Sequence, residues 1–132
     1  VSAPLRRPPP QVGERFIYER VFTVAEVQAF TKITGDVGEH HMEPDAQGRL
    51  MVHGLLTASL PTRFGGELNF VAREMFFEFI RAVFTGDTIT TEVVCTEAAD
   101  EDRVIRVSAE CICRNQLGKE VMKAKTSGVI FK

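Results

Sequence analysis

The chain has 132 residues, 44% of them hydrophobic and 26% charged, with a formal net charge of -2. That length supports one domain whose core needs neither disulfides nor a metal. Acidic and basic residues are interspersed without a basic stripe, which excludes the nucleic-acid-binding class, and no apolar run approaches the ~20 residues of a membrane span.

Val1 to Pro10 carries Arg6, Arg7 and a run of three prolines. It lacks the apolar segment of a signal peptide and reads as a flexible or extended polyproline tail. Residues 1–12 are assigned to this tail and residues 13–132 to a single domain. Gly13 to Phe22 reads as a first strand. Thr23-Val-Ala-Glu26 is a capping box, followed by Val24, Val27, Phe30 and Ile33 as one apolar stripe at helical spacing. Gly35 closes that helix as a left-handed residue, so Asp36 falls on the loop just after it. Val37 to Arg49 is polar, carries Gly38, Pro44 and Gly48, and reads as a loop.

Leu50 to Leu60 is apolar nearly all round, as in a helix buried on most sides. Pro61 predicts a kink or an early end, and Gly65-Gly66 ends what remains. The second half alternates. Arg73 to Ile80 reads as a strand, Thr85-Gly86-Asp87 as a turn, and Thr88 to Glu97 as a strand burying Ile89, Val93 and Cys95. After an acidic turn over Ala98 to Asp102, Val104 to Arg114 sends Ile105, Val107, Ala109, Cys111 and Cys113 to one face. Asn115 to Lys119 turns into a last strand, Glu120 to Phe131. Consecutive strands with short turns predict an antiparallel meander with one buried face. An antiparallel sheet wrapped around one apolar helix, an α+β architecture, follows from this inventory.

The odd cysteine count (Cys95, Cys111, Cys113) gives no disulfide framework. Cys111 and Cys113 share one strand face and read as small buried hydrophobes. A Cys-x-Cys metal clip would need two more ligands, which the strand does not offer. These features suggest a reducing, cytoplasmic setting.

The three histidines, His40, His41 and His53, bracket the loop between the two helices, close to Asp36. Titratable groups on a loop beside an apolar helix can position and activate water. On this pattern alone, solvated loop histidines stand as an equal alternative.

Thr34-Gly35-Asp36-Val37-Gly38-Glu39-His40-His41, followed by Met51-Val52-His53-Gly54-Leu55-Leu56-Thr57-Ala58-Ser59-Leu60, resembles the MaoC-type dehydratase and (R)-specific enoyl-CoA hydratase family. The shared pattern is an Asp after a Gly, a His five residues later, and Val-His-Gly opening the central helix. The similarity extends loosely into Phe79 to Thr88 and covers about Gly13 to Phe131. The resemblance implies a hotdog fold, with the sheet wrapped around a central buried helix. It implies that Asp36 and His41 hold one water and act as the acid/base pair on a 2-enoyl thioester. The Gly54 N–H would donate to the thioester carbonyl, with the helix dipole behind it. His53 would be a structural residue of the Val-His-Gly turn beside the bound substrate. Ser59 or Thr62 would stand in for a supporting serine on the helix. His40 would replace His41 if the loop register differed. Phe76, Phe77 and Phe79 would serve core and subunit interface. No cofactor or metal is implied. The implied partners are an acyl-CoA or acyl-carrier thioester and a second copy of the chain.

Three features depart from the family pattern. Gly38-Glu39 replaces the usual Asn-Pro, the stretch from His41 to Val52 is short, and Pro61 interrupts the helix. Competing readings are a hotdog thioesterase, a non-catalytic acyl-thioester-binding module, and a metal site built from Asp36, Glu39, His40, His41 and Glu43. The first lacks a carboxylate between Leu50 and Gly66, and the last lacks regular ligand spacing.

Overall fold

The computed structural model describes residues 7–132. Residues 1–6 of the expected tail lie outside the described residues. From Arg7 the chain lies against the domain. The Arg7 guanidinium sits 5.8 Å over the Phe16 ring and 3.8 Å from the Glu67 carboxylate, and Pro10 is buried.

Strand β1 (Arg15–Val21) leads into helix α1 (Val24–Thr34), and the predicted capping box is present. The Thr23 hydroxyl accepts from the Glu26 N–H at 3.1 Å, and the Glu26 carboxylate accepts from the Thr23 N–H at 3.0 Å. Gly35 closes the helix at φ 76° and donates its N–H to the Thr31 carbonyl at 2.8 Å. The buried stripe differs from the expected one. Val27 and Thr31 face inward, while Ile33 is 81% exposed. Residues four apart share a helix face, and it is the Val27–Thr31 row that meets the core.

Five strands form one antiparallel sheet in the order β1-β3-β4-β5-β2. Strands β3 (Thr88–Asp100), β4 (Val104–Arg114) and β5 (Glu120–Phe131) are the predicted meander. β3 runs on through Ala98–Asp100, so the turn expected there is shorter. Strand β2 (Phe70–Phe79) lies outside the meander, paired with β5 from Phe70↔Ile130 to Phe79↔Met122. Residues 80–87 must therefore cross three strand spacings, roughly 14 Å, which eight residues span easily. Alternation tells which face a side chain takes but not which strand is its neighbour, so the sequence pattern does not reveal this crossing.

The inner face of the sheet carries Ile89, Val93, Cys95, Val107, Ala109, Cys111 and Cys113, all buried as expected, with Ile105 packed at their margin. Each large apolar side chain buried there contributes about 1.5–3 kcal/mol.

The central helix is not one element. Leu50 to His53 is extended, with Met51 bridging Phe84. Helix α3 covers only Gly54–Thr57, a turn follows, and helix α4 covers Thr62–Leu68. Pro61 caps α4 rather than interrupting a longer helix, because its fixed φ suits a helix start. Gly65 and Gly66 lie inside α4, and Asn69, at φ 55°, ends it. Leu55 is 70% exposed, so the segment buries one side only, through Ala58, Leu60, Phe64 and Leu68. Among the described residues no helix is long and apolar enough to cross a membrane.

Gly128 of β5 sits where β2 bulges between Ala72 and Glu74. A Cβ there would fall 2.1 Å from the Val71 carbonyl oxygen and 2.9 Å from the Ala72 Cα. Backbone cannot yield that far without the strands parting. Gly128→Ala should therefore destabilise the fold by about 1–3 kcal/mol, read as a lower urea midpoint. An unchanged midpoint would contradict this strand pairing.

Candidate active site

The loop after α1 is built around two short turns. Asp36 follows the Gly35 cap, and its Oδ1 accepts from the Gly38 N–H at 3.2 Å. Gly38 opens a single helical turn, α2 (Glu39–Met42), inside the segment expected to be loop. That turn separates the two adjacent histidines. His40 points to solvent, whereas His41 is 5% exposed. It is therefore His41 that meets Asp36, and the His40 alternative is not the arrangement observed.

The Met51 backbone holds His41. The His41 Nδ1 lies 2.7 Å from the Met51 carbonyl oxygen. A carbonyl only accepts, so Nδ1 carries the hydrogen and the neutral ring presents an Nε2 lone pair. That Nε2 lies 3.6 Å from Asp36 Oδ2. The gap exceeds a hydrogen bond and leaves both atoms free to share a small oxygen between them. Gly38 allows this closeness. A Cβ there would lie 3.0 Å from His40 Cε1 and 3.3 Å from both Asp36 Oδ1 and His41 Cδ2.

His53 lies beneath the pair. Its ring stacks on His41 with centroids 3.9 Å apart and planes 19° from parallel, and it takes Phe30 edge-on at 4.9 Å. Its Nε2 is 2.9 Å from the Thr31 hydroxyl, and its Nδ1 is buried without a partner among the described residues. Burial pushes the His53 pKa below the ordinary histidine value of 6.5; His41 and His40 add to this, while Asp36 opposes it. Sequence reading missed Thr31. Its only local signal was a threonine four residues after Val27, on the face that turned out to be buried.

Gly54 begins α3 with its backbone exposed. The first N–H groups of a helix have no intrahelical acceptor, so the Gly54 N–H is available to a ligand. Four residues make only a small dipole, so the expected dipole contribution reduces to the N–H groups themselves. The Phe79 ring passes 3.5 Å from where a Gly54 Cβ would stand. Both line a cleft of about 230 Å³ with Met51, Thr57 and Val83. A larger apolar cavity, about 610 Å³, lies between α4 and the sheet; its lining does not include Asp36, His41 or Gly54. The Ser59 hydroxyl donates to the Leu56 carbonyl at 2.5 Å, and Thr62 is exposed at the start of α4. Among the described residues neither bonds to Asp36 or His41.

Donor atoms of Asp36, His41 and His53 lie within 4.8 Å of one another. The two imidazoles are nearly parallel, however, so their in-plane lone pairs do not converge on one point as metal coordination requires. Of the five residues in the metal reading made from sequence, only Asp36 and His41 belong to this cluster.

An (R)-specific enoyl-CoA hydratase of Aeromonas caviae is 33% identical over 109 residues, covering 72% of this chain and 77% of that protein. The chain belongs to the (R)-specific enoyl-CoA hydratase family. No model of a protein family matches it. The solved A. caviae (R)-hydratase, described as involved in PHA biosynthesis, superposes with a TM-score of 0.79 at 27% identity, over 93% of this chain and 98% of that one. The unliganded R-hydratase PhaJ1 of Pseudomonas aeruginosa superposes with a TM-score of 0.81 at 20% identity, over 93% and 83%, and supports the fold. The hydratase family is thus reached through both sequence and shape, and the hotdog fold expected from the motifs is the fold observed.

The lowered pKa of His53 has a consequence for stability. Between its folded value and 6.5, the unfolded chain binds a proton at this position that the folded chain refuses. The stability it contributes is present above pH 6.5 and lost as pH falls toward the folded value. The urea midpoint of the wild type should drop more between pH 7.5 and 5.5 than that of His53→Gln, which keeps a hydrogen-bonding group near the Nε2 position but does not titrate. Equal drops would place the pH sensitivity elsewhere.

Proposed function

We propose that the protein hydrates trans-2-enoyl thioesters to (R)-3-hydroxyacyl thioesters and catalyses the reverse dehydration, with Asp36 and His41 as the acid/base pair. The observation that carries this reading is the 3.6 Å separation of Asp36 Oδ2 and His41 Nε2, with the imidazole tautomer set by the Met51 carbonyl. A water between them would donate to one and be oriented by the other. As its oxygen bonds to C3, the pair takes one proton; negative charge passes through C2 to the thioester oxygen. The Gly54 N–H would stabilise that oxygen. The pair then returns one proton to C2, leaving the enzyme as it began.

The thioesterase reading gains nothing from the structure. The first carboxylate on the central segment is Glu67, near the end of α4. It accepts from the Tyr18 hydroxyl of β1 at 3.0 Å and pairs with Arg63 at 3.4 Å.

Hydration of crotonyl-CoA, followed as loss of the enoyl-thioester absorbance, tests the proposal. Asp36→Asn and His41→Ala should each fold and lower kcat by about 100-fold or more. Variants that retained wild-type rates would remove both residues from the mechanism.

We also infer that a second copy covers β2. It is an edge strand, with Val71, Met75, Phe76 and Phe79 exposed along it. An unpaired apolar edge invites strand pairing, and two-fold symmetry is the default closure. Sedimentation should give twice the chain mass, and Phe76→Asp should shift the species toward the single chain. A single-chain mass for the wild type would refute the inference.

A further inference from the structure

Two buried polar groups beside the pair have no part in the chemistry above: the Thr31 hydroxyl and the His53 imidazole, 2.9 Å apart. Thr31 sits on the inner face of α1, one turn before its end, and uses two of its atoms at once. Its carbonyl accepts the Gly35 N–H at 2.8 Å, which closes the helix immediately before Asp36. Its hydroxyl meets His53, whose ring is the surface on which His41 lies. One residue thus links the backbone that carries Asp36 to the ring that supports His41.

We propose that Thr31 and His53 are positioning residues for the hydration reaction, the hydroxyl–imidazole bond holding the His53 ring flat against His41 and so setting the His41–Asp36 separation. The inference rests on the assignment of that pair as the acid and base.

Two physical arguments support it. A stacked imidazole without a hydrogen bond can turn about its χ2 axis, and a displacement of about 1 Å in a catalytic group is enough to cost on the order of 100-fold in rate. The second concerns charge. When the pair holds the water's proton, His41 tends toward the imidazolium, and a charged ring 3.9 Å away would oppose it. Burial disfavours the charged form of His53. The groups that face it are His41 and His40 from α2 and Asp36 from the loop after α1. Phe30 seals the remaining side.

Thr31→Val removes the hydroxyl and keeps the branched shape, while Thr31→Ser restores the hydroxyl alone. With crotonyl-CoA, Thr31→Val should lower kcat about 10-fold or more with KM within about twofold and an altered pH profile of kcat. Thr31→Ser should recover kcat to within about twofold of wild type. A Thr31→Val enzyme with wild-type kcat and pH profile would overturn the proposal, as would a Thr31→Ser enzyme as slow as Thr31→Val, since shape and not the hydroxyl would then matter. Imidazole nitrogen NMR separates this from a failure of the hydratase reading. Even if the wild type turned over no enoyl thioester, the His53 Nε2 resonance should carry the shift of a hydrogen-bonded nitrogen, and Thr31→Val should abolish that shift. The same Nε2 shift in both proteins would refute the positioning role.

Discussion

The short run Leu50–Val52 is stitched on two sides, and the placement of every group in the candidate site follows from it. On one side the Met51 N–H donates to the His40 carbonyl at 3.0 Å, and the Met51 carbonyl accepts from His41 Nδ1 at 2.7 Å. On the other, the Val52 N–H donates to the Val83 carbonyl at 2.8 Å, and the Leu50 carbonyl accepts from the Thr85 N–H at 2.9 Å. The Leu50 N–H reaches the Thr85 hydroxyl. A short extended run with buried neighbours must satisfy all these groups or lose about 1–3 kcal/mol for each one left unpaired. The histidine loop is thereby fastened to the connection that crosses the sheet, and Gly54 emerges two residues later in a fixed direction.

The crossing connection explains why a chain with so short a loop can still build the site. Phe84 and Thr85 reach Met51 and Leu50 only because residues 80–87 carry the chain from the β2 edge back past the start of the broken helix. The turn that ends this crossing is held by Asp87, which accepts from the Phe84 N–H at 2.9 Å, and by Gly86, whose N–H reaches the Phe22 carbonyl. The same turn thus holds the end of β1 and the entrance to the site, so the sheet and the loop share one anchor.

What could be read from sequence was what short-range chemistry determines. The Thr23–Glu26 box, the Gly35 stop and the alternation of β3, β4 and β5 depend on residues a few positions apart. The Asp36-to-His41 spacing with Val52-His53-Gly54 was legible because it is a local motif. The rest depends on partners distant in sequence. Thr31 did not stand out because His53, which satisfies it, lies 22 residues away. Nothing local showed that Glu39–Met42 would coil and send His41 inward and His40 outward. The central helix was expected from Leu50 up to a kink or end at Pro61, and its late start at Gly54 and early stop at Thr57 were not legible because composition records apolar character and not direction. Pro61 opens a second, separate helix, and Leu55 in the first is left exposed. β2 was recognised as a strand and placed beside the wrong neighbour, since register and strand order are set by pairing across the sheet.

The exposure of the two acid/base candidates is unequal, and the inequality bears on how the pair works. The His41 side chain is 6% exposed and that of Asp36 is 52% exposed. An imidazole sealed from below by His53 and tied through Nδ1 has one atom left to act. A carboxylate open to solvent is screened, so water weakens its attraction for an imidazolium. Between charges about 4 Å apart, that attraction is ~1 kcal/mol in water and ~4 kcal/mol at the effective dielectric of a partly covered site. The pair therefore gains most of its strength when something covers Asp36.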